Sequence, residues 1–291
     1  MYPARFDYHR PETLDEALTL LAEHGDQAKI LAGGASLIPL MKLRLAEPAH
    51  LVDIGGVPGL DGIDASNGSI EIGALVREAD LAGSFAARRL PVLADAAAVI
   101  ADPLVRNVGT VGGNVAHGDP ANDHPAVMLA LDATYIVRGP SGVREIHASS
   151  FHLDLLQTAL APDEVLTAIQ IPALPMRSGS AYVKFERQVG DYAIAAAAAI
   201  VELDGATIRS ARLAFTNLAP TPVRAGSIEL ALAGSPAVAA SVAAAMNAFR
   251  DDEIDPWDDL RGSASVKRRM ARAAAGRAIQ QALARALGDD A

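Results

Sequence analysis

Between two apolar stretches, residues 106–126 (RNVGTVGGNVAHGDPANDHPA) collect a glycine pair, small hydroxyl and amide side chains, two histidines and two aspartates. Gly112 and Gly113 carry no Cβ, so backbone N–H groups beside them can approach phosphate oxygens closely, with the Thr110 hydroxyl as a further donor and Asn114 alongside. A second loop, residues 31–37 (LAGGASL), repeats the device far upstream with Gly33, Gly34 and Ser36. A helix capped by Ser36 would aim its positive end at the same anion. Two separated surfaces of this kind point to one large phosphate-bearing ligand gripped from both sides. Neither loop fits G-x-G-x-x-G or contains GK[ST], which disfavours a Rossmann dinucleotide site and a P-loop.

His117, Asp119, Asp123 and His124 offer two imidazoles and two carboxylates, a set that could ligate a metal. Their spacing matches no helical metal motif, and Gly118-Asp119-Pro120 reads as a turn that uses its aspartate locally. No metal is assigned to them, and Asp132 reads as a structural acid. Residues 184–187 (KFER) and 190–192 (GDY) set a cation and an aromatic near the start of the last third. They read as a strand end with a core tyrosine, or as a lysine and a ring facing a flat cofactor.

The chain has no cysteine, which removes disulfides, thiolate nucleophiles and any cysteine-held iron–sulfur cluster from it. Redox chemistry here would need an organic cofactor. The formal net charge of -10 offers nucleic acid no basic stripe. No apolar run reaches the roughly 20 residues that cross a bilayer, and residues 1–13 lack an apolar signal core, so a cytoplasmic location is expected.

The elements that must position these groups follow from pattern. Thr13 and Glu16 form a capping box ahead of Leu14, Ala17, Leu18 and Leu21 at helical spacing, predicting a helix over 14–24. Residues 29–32 and 49–53 read as short strands, with a helix from Ser36 to Arg44 between them. Residues 69–74 alternate as a strand, 77–100 hold two alanine-rich helical stretches, and the glycine loop follows. A helix over 126–131, a hairpin over 134–148 and a strand over 165–171 come next. Residues 173–179 (ALPMRSG) mark the domain boundary. Residues 181–187 read as a strand. Residues 193–203 carry consecutive alanines that favour helix, yet Asp204-Gly205 ahead of 207–215 predicts a hairpin instead. Helices are expected over 223–233, 236–249 and 266–287, the last studded with arginines on its solvated or partner-facing side.

Taken together, residues 6–8 (FDY), 31–37 (LAGGASL), 41–44 (MKLR), 51–54 (LVDI), 106–114 (RNVGTVGGN) and 182–185 (YVKF) resemble the flavin-binding medium subunit of molybdenum hydroxylases, the carbon monoxide dehydrogenase and xanthine dehydrogenase family. The resemblance runs over essentially the whole chain. It implies an α+β protein: a two-subdomain FAD-binding fold of the vanillyl-alcohol-oxidase-like (PCMH) type over 1–175, divided near residue 57. A C-terminal domain of a small antiparallel sheet with helices follows over 176–291. It implies that Ala32, Gly33, Gly34, Ala35, Ser36 and Leu37, with Thr110, Val111, Gly112, Gly113 and Asn114, contact the FAD pyrophosphate and its flanks. By the same resemblance Ile100 lies near the flavin ring, Asp123 bonds the cofactor, and His117, Leu166, Lys184 and Tyr192 line the site. The sequence departs from the commonest pattern at Ala35, where relatives often carry histidine, and at Val108, where a basic residue is common.

The resemblance further implies an electron relay. Substrate is oxidised at a molybdenum cofactor on a large subunit, electrons pass two [2Fe–2S] clusters on a small subunit, and FAD hands them to a terminal acceptor. The absence of cysteine agrees, since the clusters must then sit on another polypeptide. A dimer of heterotrimers is the expected assembly, and no residue of this chain is assigned a catalytic role. The alternatives are a freestanding FAD-dependent oxidoreductase and a scaffold that has lost its flavin.

Overall fold

The structure is a computed structural model that describes residues 2–66 and 68–288. Its first layer is a parallel three-stranded sheet in the order Asp7–His9, His50–Asp53, Ala28–Leu31. The helix Leu14–His24 crosses between strands. It starts where the Thr13 hydroxyl accepts from Glu16 N–H at 3.2 Å, and it buries Ala17, Leu18 and Leu21 against Ala28, Val52 and Ile54. The strand Ala28–Leu31 ends directly in the 32–36 loop, so the first glycine pair sits at the mouth of this sheet.

A five-stranded antiparallel sheet follows, in the order Ile63–Ser66, Ser69–Gly73, Val165–Pro172, Thr134–Gly139, Gly142–His147. The expected hairpin over 134–148 forms its edge. The two expected stretches do part before Pro91, which starts the helix Pro91–Val99, but the first is itself divided into Glu78–Gly83 and Phe85–Arg89 because Ser84 caps a new helix. The polar loop is shorter than its sequence suggested. It folds into Pro103–Arg106, Val111–Ala116 and His124–Ala130, the first two capped by the side chains of Asp102 and Thr110.

The last unit is a four-stranded antiparallel sheet, Ser178–Phe185, Ala195–Asp204, Thr207–Thr216 and Val223–Arg224, backed by the helix Ala264–Leu287. Its second strand carries the alanine run. Residues 195, 197, 199 and 201 pack towards the long helix, while 196, 198 and 200 join the core of the preceding domain. A strand buried on both faces cannot alternate apolar with polar, and small side chains let both neighbours approach. Gly179 shows how close that approach is: a Cβ there would lie 2.0 Å from the carbonyl oxygen of Ala282. The expected helix over 223–233 begins as the short strand Val223–Arg224 and becomes helical only over Gly226–Leu232.

Candidate functional site

The two glycine loops touch. A Cβ on Gly33 would fall 2.0 Å from the Val108 carbonyl oxygen, so only glycine lets the first loop seat against the backbone leading into the second. Ala35 lies across from Gly109, and Gly34 has φ +72°, which reverses the chain ahead of the helix Leu37–Lys42.

The loops contribute different things. Among the described residues, no acceptor is found for the N–H groups of Gly33 to Leu37, whereas every N–H from Val111 to Asn114 has one, from backbone or side chain. Val111 and Gly112 donate to the carbonyls of Val76 and Ala74, Gly113 to the Thr110 hydroxyl and Asn114 to the Thr110 carbonyl. Gly112 therefore serves shape: a Cβ would come within 2.5–2.7 Å of Ala74. Free donors for an anion come from the first loop, and the second supplies the hydroxyl proton of Thr110 and the side-chain amide of Asn114. The Asn114 oxygen already accepts from His124 N–H at 3.3 Å.

Ser36 does not cap its helix, contrary to expectation: its own backbone is helical and its hydroxyl makes no capping bond. It lies instead beside the Tyr192 phenol, which burial pushes above its usual pKa, reinforced by Asp119. Tyr192 reaches across from the C-terminal domain and is held by Arg261, whose guanidinium lies 5.0 Å from the ring centre and 3.2 Å from Asp191. The loop before Tyr192 rests on the turn after Ile100, since a Cβ on Gly190 would lie 2.9 Å from the Ala101 carbonyl. Ala101 has φ +46°, and the Arg106 guanidinium pins this strained turn by donating to the carbonyls of Ile100 and Ala101 at 2.9 and 2.8 Å.

Asp123 is buried at the seam between the domains. Its oxygens accept from Tyr182 Oη at 2.5 Å and Lys184 Nζ at 3.1 Å, while Lys184 also donates to the Val99 carbonyl at 3.0 Å. Burial pushes the Asp123 carboxyl above its ordinary range, against the pull of the Lys184 ammonium and the Tyr182 phenol. The expected pair of site residues is thus together, but facing each other. Leu166 is buried in the five-stranded sheet beside a register shift, and His117 ends the Val111–Ala116 helix with its pKa pushed down by burial against Asp119.

The four groups with metal-ligand chemistry in the second loop disperse. Asp119 accepts from Ala121 N–H at 2.8 Å within its turn, and Asp123 turns to Lys184. His124 Nε2 meets Glu78 Oε2 at 2.7 Å, and although burial pushes its pKa down, Glu78 outweighs this and the net shift is upward. Glu78 escaped sequence reading, because a glutamate opening a helix normally faces water; here it is 1 % exposed, behind Gly109. The cavity of about 470 Å³ bordered by Ser66, Ile70, Arg89, Pro172 and Met176 lies at the Ile63–Ser66 edge of the sheet and includes no residue of either glycine loop.

Residues 4–174 match the family described as the FAD binding domain in molybdopterin dehydrogenase, and residues 180–282 match the CO dehydrogenase flavoprotein C-terminal domain. The carbon monoxide dehydrogenase medium chain of Hydrogenophaga pseudoflava is 44% identical over 286 residues, covering 98% of this chain and 99% of the relative. The 6-hydroxypseudooxynicotine dehydrogenase complex subunit alpha of Paenarthrobacter nicotinovorans is 40% identical, covering 98% and 97%. The solved carbon monoxide dehydrogenase of Hydrogenophaga pseudoflava lacking the Mo-pyranopterin moiety superposes with a TM-score of 0.94 at 45% identity, covering 98% of this chain and 99% of that one.

Proposed function

This chain belongs to the FAD-binding medium subunits of the molybdenum hydroxylases, and from that membership we propose that it grips FAD with two loops of unlike chemistry. The first loop, residues 32–37, presents its free N–H groups to the pyrophosphate. The second, from Thr110 to Asn114, closes the other side with one hydroxyl and one amide. The observation that carries this reading is the direct seating of Gly33 on Val108, which brings a run of unpaired donors to the second loop.

When bound, FAD takes electrons arriving from the iron–sulfur subunit and passes them to the terminal acceptor. The protein's part is to bind, orient and shield. Asp123 and Lys184 set a buried ion pair beside the polar edge of the ring, Ile100 and Leu166 an apolar wall, and Tyr192 a cover over Ser36 held by Arg261. His117 lines the second loop's end.

The chain is an oxidoreductase subunit whose clusters lie on a small partner and whose molybdenum cofactor lies on a large one. We propose a dimer of heterotrimers, working in the cytoplasm, where the cluster thiolates of the partner stay reduced. One relative serves a carbon monoxide dehydrogenase and another a 6-hydroxypseudooxynicotine dehydrogenase at nearly the same identity, so the medium chain is an electron outlet common to different substrates.

Ala35→Asp tests the grip. Its Cβ has room beside Gly109, and its carboxylate would set a like charge against the pyrophosphate, a repulsion of about 3 kcal/mol at near-surface dielectric, roughly a hundredfold in affinity. Folded protein with little flavin by absorbance is the expected outcome. Full FAD content would refute the placement of the first loop.

A further inference from the structure

His9, His24 and His50 form a cluster well away from the glycine loops, and the flavin chemistry does not use it. They come from three elements: the end of strand Asp7–His9, the last residue of helix Leu14–His24 and the first residue of strand His50–Asp53. Parallel pairing sets His9 opposite Val52, two residues from His50, so both imidazoles emerge on one face of the sheet. The same face carries Val52 against the helix, whose C-terminal end delivers His24.

His9 Nε2 lies 3.1 Å from His50 Nδ1. The His24 and His50 rings stack with centroids 3.7 Å apart, and the His9 ring lies 5.3 Å from each. One ring nitrogen from each residue lies within 4.8 Å of the others, and all three side chains are half-buried. Among the described residues, none of the three is hydrogen-bonded to or paired with a carboxylate. Two nitrogens bound to one tetrahedral zinc at about 2.0–2.1 Å stand about 3.3 Å apart. The His9–His50 pair is already near that spacing, and rotation of the half-exposed His24 brings in the third nitrogen.

We propose that His9, His24 and His50 bind one divalent transition-metal ion of the zinc class, with water completing a four-coordinate shell. Three imidazoles without a carboxylate or thiolate favour such ions over calcium or magnesium. The ion fastens strand Asp7–His9, a three-residue edge strand paired on one side only, to the helix and to the central strand. That sheet launches the 32–36 loop, so the ion braces the base of the cofactor grip without touching the cofactor.

The test is a Zn²⁺ titration of untagged, FAD-loaded protein after chelator treatment, read by calorimetry and by thermal unfolding. One equivalent should bind per chain and raise Tm. His24→Ala and, separately, His9→Gln should weaken binding roughly tenfold or more and abolish the Tm rise while retaining FAD. His147→Ala, at an exposed histidine paired with Asp132, should change nothing. Unchanged Zn²⁺ affinity in both cluster variants, or less than one equivalent on the parent protein, would overturn the site. Retained FAD in every variant keeps this outcome separate from the cofactor assignment.

Discussion

Lys184 and Asp123 are each nearly sealed from water, and each carries a charge that the other balances. Their side chains are 2% and 6% exposed and meet at 3.1 Å. Lys184→Met should therefore cost about 3–5 kcal/mol, because it strands a buried carboxylate, and the double variant Lys184→Met/Asp123→Leu should recover part of that loss, since Glu186, 3.4 Å from Lys184, still lacks its cation. Urea unfolding of the two variants separates the cases. If the pair also serves the flavin ring, the double variant stays poor in FAD despite its recovered stability.

His152 gives a second prediction at this scale, one of pH. Burial lowers its pKa to about 4, with Nε2 placed 3.2 Å from the Val115 carbonyl. An unfolded histidine titrates at about 6.5, so the unfolded chain takes up the proton first. Stability from this group is complete above about pH 6.5 and falls as pH drops towards 4, by up to about 3 kcal/mol. His152→Phe, beside Phe151 and Tyr135, should flatten this acid limb. Equal slopes of unfolding midpoint against pH for parent and variant would contradict it. Resemblance put Asp123 and Lys184 forward as site residues, but their mutual pairing depends on contacts 61 residues apart in the chain, which no local pattern encodes.

Among the elements, close backbone approach decides which glycines matter. Gly179→Ala drives a methyl group into the Ala282 carbonyl and should destabilise the C-terminal unit by about 1–3 kcal/mol, measured by denaturant unfolding. Gly205, with φ +58° and open space around it, closes the hairpin that the sequence announced through Asp204-Gly205. The helix Leu14–His24 was equally legible, since its cap and apolar stripe are local. The polar segment 106–126 was not. Its helices Pro103–Arg106 and Val111–Ala116 are at most six residues long, too short for periodicity to register, and are fixed by the caps Asp102 and Thr110, the second also by bonds to Ala74 and Val76; the expected helix over 126–131 forms, as His124–Ala130. Ser36 misled for the opposite reason. Its type and position suit a cap, but its hydroxyl lies beside the phenol of a distant residue, Tyr192.

For the whole molecule, the domain seam borders the proposed cofactor site. Asp95 on the helix Pro91–Val99 receives Arg285 of the long helix at 2.6 Å and the N–H of Tyr182 at 3.0 Å, and Asn217 N–H reaches the Pro120 carbonyl at 2.8 Å. These bonds hold the sheet bearing Lys184 and the loop bearing Tyr192 against the FAD domain. Arg285→Met should loosen that registry, so that FAD dissociates faster while the FAD domain itself stays folded; stopped-flow flavin release measures it. The absence of cysteine carried the largest conclusion available from composition: cysteine-held iron–sulfur clusters cannot lie on this chain. The most direct measurement mixes the reduced iron–sulfur subunit with this chain and follows flavin absorbance by rapid mixing. The FAD-loaded parent should bleach as the clusters reoxidise, and the flavin-poor Ala35→Asp chain should leave the clusters reduced. A parent flavin that stays oxidised beside the reduced clusters, or clusters that discharge to acceptor equally fast through the Ala35→Asp chain, would contradict an electron outlet held by these two loops.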